Sequence, residues 1–410
     1  MKLNTKRGLA TLLLVGGLLA AACSSNSSSS TTTTATSSPP TPSSLSTSSF
    51  TNTFAAMAGL KGLAAQGKGT VAVILPDTVS SARYAEFDAP YLAKALTTAG
   101  LSSSQYSIQN AMGSDTTQLA DAQSAIAAGA SVLVVDPLDS DVGTSIETYA
   151  KAHGVPVIDY DRLTLGGSRQ YYVSFDNVKV GTLIGQGMVS CVSSWGVTKP
   201  TLAVMVGAPT DNNAALFAQG NATLLAQGYD AVLKPYFSSG QWVDAANPPG
   251  TWDPATAEAE FQQAYTAHPT INAVLVPSDE NAAPIITYLK TLHISAKKFP
   301  VTGQDATVVG LQNIISGYQC GTVYKPIFME AQAAAALALY LRAGKTPPAS
   351  LANSTTQDTA SNLAVKSVLL SPEWVTPTNI QSTVIADHFV TAAQLCAAPY
   401  SADCKRYGIN

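Results

Sequence analysis

Several short apolar runs in this chain end in clusters of polar side chains able to hold a ligand. Val155 to Ile158 gives way to Asp159-Tyr160-Asp161-Arg162, and Thr201 to Val206 to Gly207-Ala208-Pro209-Thr210-Asp211-Asn212-Asn213. Val301-Thr302 opens onto Gly303-Gln304-Asp305, and Val71 to Leu75 onto Pro76-Asp77. Carboxylates accept hydrogen bonds, guanidinium and ammonium groups donate, and Asn does both, so this chemistry is non-covalent capture of a polar molecule. In α/β proteins, ligands sit off the carboxyl ends of such strands. Signatures of catalysis are missing from the sequence. It has no Gly-x-Ser-x-Gly, no Walker loop and no Gly-x-Gly-x-x-Gly after the first strand. His153, His268, His293 and His388 are dispersed without metal-ligand spacing, so neither metal nor cofactor is expected.

The elements that must carry these clusters follow from periodicity. β-branched runs predict strands at Val71–Leu75, Tyr106–Gln109, Ser131–Val135, Val155–Ile158 and Tyr171–Phe175. Helical patterns at about 88–98, 116–128 and 142–153 separate them. The same grammar restarts with a helix from Val178 toward Ser194, the strand Thr201–Val206 and a helix at about 214–227. After an irregular region around 241–252 come helices at 254–267, 283–292, 311–316 and 329–343, with strands at 273–277, 301–302 and 321–324. Strict β-α alternation predicts an α/β fold of two similar lobes, each a parallel sheet flanked by helices.

The totals agree with that count. The chain has 410 residues, 46% hydrophobic and 12% charged, too many for one ordinary α/β domain. A formal net charge of −4 with scattered Lys and Arg gives nucleic acid no footprint. At the N-terminus, Lys2, Lys6 and Arg7 precede an apolar stretch from Leu9 to Ala22 and then Cys23, the pattern of an export signal whose cysteine becomes lipidated. Residues 1–23 are therefore read as signal peptide and lipobox, and the Ser/Thr/Pro-rich segment 24–67 as a tether. The remaining cysteines allow three pairings. Joining Cys396 to Cys404 staples a C-terminal loop and leaves Cys191 with Cys320; buried free thiols are the alternative.

Motifs along the chain carry a resemblance. Pro76-Asp77, Ala82-Arg83-Tyr84, Val134-Val135-Asp136-Pro137, Tyr160-Asp161-Arg162 and Val173 to Asn177 are followed by Pro209 to Asn213, Gln241 to Asp244, Gly303 to Ala306 and Thr322 to Pro326. In this order they resemble the type I periplasmic sugar-binding proteins of ABC transporters, and among them the D-xylose binders, over about 68–343. The resemblance implies two lobes joined by a three-segment hinge. Residues 68–173 and 325–350 would form the N-terminal lobe, 174–324 and 351–390 the C-terminal lobe, and 391–410 a tail. Val173–Asn177 and Thr322–Pro326 would be hinge segments.

Carried over position by position, the resemblance implies sugar contacts from Arg83, Tyr84, Asp161 and Arg162 on the first lobe. Asp211, Asn213, Ser278, Asp279 and Asp305 would come from the second, with Trp252 on an irregular loop and Lys325 at the hinge. Ser278 departs from the family, which has Asn there, and the stretch between Trp242 and Trp252 carries extra residues. Three cations face three carboxylates if Asp161, Asp211 and Asp305 are counted, a balance that suits a neutral ligand. Bland readings also exist. Asp211 or Asn213 could cap the next helix, Asp161-Arg162 could be a seam salt bridge, and Trp252 before Asp253-Pro254 could be a hydrophobic staple. The expectation is a monomeric, non-enzymatic, lipid-anchored protein on the outer face of the cytoplasmic membrane. It would capture a monosaccharide, D-xylose or a relative, for an ABC permease. A sensor partner and a secreted carbohydrate-active enzyme are the rivals, the latter needing a carboxyl kept protonated beside the sugar.

Overall fold

A computed structural model describes residues 44–219 and 228–410. The expected signal peptide, Cys23 and the tether up to residue 43 lie outside the described residues, as does the end of the helix expected at 214–227. Among the described residues no helix is long and apolar enough to cross a membrane.

The first half builds one large sheet from β1 (Thr70–Leu75), β2 (Tyr106–Asn110), β3 (Ala130–Val135), β4 (Val157–Tyr160) and β5 (Tyr171–Phe175). These strands are parallel, in the order β5-β4-β3-β1-β2. Their near-continuous Val, Ile and Leu runs fit a sheet covered on both faces. The second half begins with β6 (Thr201–Val204), β7 (Val243–Ala246) and β8 (Ala273–Leu275), parallel in the order β7-β6-β8. Parallel bridges from Val274 to Val301 and from Gln304 to Val323 continue that layer to β9 (Thr322–Tyr324).

Helices connect the strands. Short α1 (Ala55–Ala58) and α2 (Lys61–Ala64) come first, then α3 (Ala89–Thr98), α4 (Asp115–Ala127) and α5 (Ser140–Ala152) in the first half. The second half adds α6 (Asn177–Ser194), α7 (Asn212–Gln219), α8 (Tyr229–Ser238), α9 (Pro254–Ala267), α10 (Asp279–Thr291) and α11 (Val308–Ile315). The chain then returns to the large sheet with α12 (Ile327–Arg342), whose Ala and Leu side chains are buried on nearly every side. A helix apolar all round belongs inside, and its small Ala side chains let it lie close on the sheet.

The pairing corrects two expected boundaries. Strands β10 (Ser354–Asp358) and β11 (Leu363–Leu370) do not join the second half: β11 runs parallel to β5 and β10 closes that edge antiparallel. Only afterwards does β12 (Glu373–Val375) pair with β9. The chain thus passes between the two sheets after β5, between β9 and α12, and between β11 and β12. The tether is also shorter than expected. Leu45, Phe50, Phe54, Met57 and Leu60 are buried in the core shared with α12, and Gln332 Nε2 donates to the Thr51 carbonyl. Each such side chain contributes about 1.5–3 kcal/mol by leaving water, enough to dock a segment whose composition alone reads as linker.

The C-terminal residues form a second small core around Leu395, Cys404 and Ile409, with α13 (Ala392–Leu395) and α14 (Ser401–Arg406). Cys396 is bonded to Cys404, and Cys191 at the end of α6 to Cys320 just before β9.

Candidate functional site

The carboxyl ends of both sheets face one cleft. Arg83, Tyr84, Asp161, Arg162, Asp211, Asn213, Trp252, Ser278, Asp305 and Lys325 line it, together with Ser80, Ser81, Phe217 and Gln304. Strand ends and the turns after them deliver most of these side chains, as parallel α/β topology dictates.

Arg83 sits in the turn before α3, at the head of a π-helical segment, Tyr84–Asp88. Its Nε and Nη2 donate to Asp88 at 2.8 Å, Nη2 also to Glu330 at 2.6 Å, and Nη1 to Asp161 at 2.8 Å. A guanidinium has five N–H groups, so four are spoken for and one on Nη1 remains for the cleft. Burial opposes its charge, but Asp161, Asp88 and Glu330 outweigh that and hold its pKa well above the ordinary value.

Asp161 follows β4 with a left-handed backbone, φ 57°. Such strain persists only where neighbours over-determine it. Here the Asp161 carbonyl accepts from Tyr172 Oη at 2.9 Å, Ser174 Oγ at 2.8 Å and Asn213 Nδ2 at 3.0 Å. Its carboxylate accepts from Arg83 and from Tyr84 Oη at 3.1 Å. Burial alone would raise this carboxyl; Arg83, then Lys325 and Arg162, overcome it and hold the pKa below the usual range.

Arg162 reaches across the cleft, with Nε 3.4 Å from Asp211 Oδ2, while Nη2 donates to Tyr84 Oη at 3.2 Å. Burial raises the Asp211 pKa despite Arg162. Asp211 has the expected local capping contact and also lines the cleft, as does Trp252. Asp211 Oδ1 accepts the Asn213 amide at the start of α7, while Oδ2 accepts Trp252 Nε1 at 3.0 Å. Asp253 caps α9 through the Thr256 amide at 2.7 Å, yet the Trp252 ring lines the cleft edge-on to Phe217. Gly207 makes room for that ring: a Cβ there would stand 2.0 Å from it.

On the far wall Asp305 and Ala306 both adopt positive φ, 91° and 51°. Lys325 Nζ lies 2.8 Å from Asp305 Oδ1, both side chains buried at the second passage between the sheets. Ser278 caps α10 and lines the cleft.

Asp279 is a correction. Its carboxylate turns away from the cleft and accepts from the Thr307 amide at 2.9 Å and Gln319 Nε2 at 2.7 Å, with Gly303 and Gly310 packed so closely that neither could carry a Cβ. It ties α10 to the turn before α11. The next residue, Glu280, faces the other way and was not singled out from sequence, because an acid in the first turn of a helix is ordinary. Ser80, Ser81 and Gln304 were also missed: single hydroxyls and amides carry no distinguishing pattern. Among the described residues no cluster of His, Cys, Asp or Glu could hold a metal ion.

A periplasmic binding protein domain matches residues 71–346. The D-xylose-binding periplasmic protein of Escherichia coli is 35% identical over 299 residues, 70% of this chain and 82% of that protein. The multiple sugar-binding periplasmic receptor ChvE of Rhizobium radiobacter is 33% identical, across 81% of this chain and 93% of its own length. Among solved structures, a carbohydrate transporter solute-binding protein from Chloroflexus aurantiacus in complex with D-glucose aligns with a TM-score of 0.69 at 27% identity, covering 79% of this chain and 97% of that one. Two parallel sheets facing one cleft, the family domain and these relatives together establish that the chain belongs to the periplasmic binding protein family, with the type I fold.

Proposed function

We propose that this protein captures a monosaccharide in the cleft and delivers it to an ABC importer, with D-xylose as the first candidate and D-glucose the second. The observation that carries the reading is the composition of the cleft wall. Arg83, Arg162 and Lys325 stand against Asp161, Asp211 and Asp305, with Asn213 and Trp252 completing it. A sugar hydroxyl both donates and accepts, its C–H faces pack on an aromatic ring, and a charge-balanced wall favours a neutral ligand over an anion. Charge-assisted bonds are roughly twice as strong as neutral ones, so they can replace the water a sugar gives up.

The lobes of this reading are the large sheet with α12, β10 and β11, and the smaller sheet with α6 to α11. Sugar touches both only when the cleft is shut, so it biases closure by its differential affinity. The protein would act as a monomer tethered through a lipidated Cys23 at the outer face of the cytoplasmic membrane. Because the Rhizobium relative is a sugar-binding receptor, a sensory partner is the second reading.

Titration of the purified protein with a monosaccharide panel, followed by tryptophan fluorescence and recovery of the ligand, tests the reading. Saturable binding with the sugar returned unchanged is expected. Absence of binding across the panel, or return of a chemically altered sugar, would overturn it.

A further inference from the structure

One half-buried carboxylate links the two walls without being needed to contact ligand. Glu280, in the first turn of α10, reaches across the cleft to the turn that precedes Arg83 and Tyr84. Its Oε1 accepts from the Ala82 amide at 3.0 Å and from Ser81 Oγ at 3.1 Å; its Oε2 lies 3.2 Å from Ser278 Oγ. The backbone amide is the telling partner. It cannot be replaced by a rotamer change, so the contact fixes the main chain of the turn that presents two cleft residues.

We propose that Glu280 is a closing contact of the cleft, a positioning residue that locks the Ser81–Ala82 turn onto α10 when the two walls meet and thereby sets Arg83 and Tyr84 against the ligand. The proposal rests on the sugar-capture reading for its ligand, though not for its geometry.

The surroundings of Glu280 decide in which protonation state it does this. The acid beside it on its own element, Asp279, points the other way, its carboxylate engaged by Thr307 and Gln319. From the cleft wall Glu280 feels Asp305, itself paired with Lys325. Across the cleft, Arg83 is turned toward Asp88, Asp161 and Glu330. No cation pairs with Glu280 among the described residues. Burial and then Asp305 push its carboxyl up to about 7 in the closed arrangement. In an open cleft, facing water, it would return toward the ordinary value of about 4.3.

Closure therefore takes up a proton between these values. The neutral acid keeps the contacts: Oε1 still accepts from Ala82 N–H while the protonated Oε2 donates to Ser278 Oγ. A glutamine reproduces that pattern, its Nε2 donating to Ser278. Sign follows from the direction of the shift. The acid is raised on closing, so affinity is greatest at low pH and declines as pH rises toward 7.

The test uses the full chain and its Glu280→Ala and Glu280→Gln variants, with D-xylose and D-glucose titrated at pH 5.5 to 8 and amide exchange of the 80–84 segment measured with and without sugar. Glu280→Ala should weaken binding about tenfold or more, since it removes the acceptor of two cross-cleft bonds. Glu280→Gln should bind more tightly than the parent, by a margin that is widest at pH 8 and shrinks toward pH 5.5, and lose the Glu280 share of the pH dependence. Parent-like affinity and pH profile in Glu280→Ala would overturn the proposal. If neither sugar binds the parent, the capture reading fails for those ligands, and exchange at Ala82 still decides here. Faster exchange in Glu280→Ala supports the contact, and equal exchange refutes it.

Discussion

The pair formed by Lys325 and Asp305 allows the sharpest test of how the second passage between the sheets and the cleft depend on each other. The two groups lie 2.8 Å apart, with side chains 6% and 7% exposed. Burial works against the lysine's charge, yet Asp305 and then Asp161 outweigh it, and its pKa is raised above the ordinary value. Removing either partner leaves an uncompensated buried charge, which costs about 3–5 kcal/mol. Against a typical total stability of about 5–15 kcal/mol, Asp305→Ala should still fold, but with a clearly lowered urea midpoint. Lys325→Met should cost a similar amount. The double variant leaves no stranded partner, so its loss should fall short of the sum by about 1–3 kcal/mol. Binding behaves differently. Asp305→Ala removes a charged acceptor worth about 1.5–3 kcal/mol, or roughly 10–150-fold in Kd, and the double variant should not recover it. Urea denaturation followed by circular dichroism gives the first quantity and calorimetric titration the second. Additive stability losses would show that the pair is not coupled, and parent-like affinity in Asp305→Ala would remove that residue from the sugar site.

Three further outcomes are expected. Gly207→Ala should displace the Trp252 ring, which would otherwise meet the new Cβ at 2.0 Å, so sugar affinity and the fluorescence response should fall together; an unchanged titration would show that the ring takes no part. Glu330, pushed up to about 8 by burial, with Asp161 and Asp88 adding and Arg83 opposing, has a folded pKa above its unfolded one. Its contribution to stability is therefore complete below about 4.3 and is lost as pH rises toward 8, and Glu330→Gln should flatten the stability profile between pH 5 and 8, as read by urea midpoints. Opening the Cys191–Cys320 bond, which spans 129 residues, should cost about 4–5 kcal/mol on the chain-entropy estimate, against about 2–3 kcal/mol for Cys396–Cys404, which spans 8. The reverse order in paired Cys→Ser variants would show that native packing, not loop closure, dominates.

The alternation of strands and helices through the first half was legible because parallel strands, buried on both faces, must be continuously apolar. The edge hairpin was not. Ser354-Thr355-Thr356-Gln357-Asp358 is polar on both faces, as an outer strand can be, and reads as loop until β11 is placed beside β5. Its aspartate is nonetheless buried, accepting the Gly166 amide and paired with Arg169, so the loop between β4 and β5 is clasped by this late strand. Long-range pairing of that kind, between segments nearly two hundred residues apart, leaves no local periodicity to read.

Within the cleft the same limit explains which lining residues were named from sequence and why Glu280 on α10 was not. Arg83, Asp161, Arg162 and Lys325, which line the cleft, were named through the resemblance, and Asp161, Arg162 and Lys325 also through charge at a strand end or passage. Asp279 and Glu280 could not be told apart, since both are acids in the first turn of one helix. Successive helical positions are rotated by about 100°, which follows from 3.6 residues per turn. One carboxylate therefore points into its own half and braces the turn at Thr307, while its neighbour points across the cleft to Ala82. The resemblance, carried over position by position, reaches Ser278 and Asp279 and stops one residue short of Glu280. What separates them is the partner: Asp279 is held by groups of its own half and should affect folding, whereas Glu280 is held by the opposite wall and should affect closing.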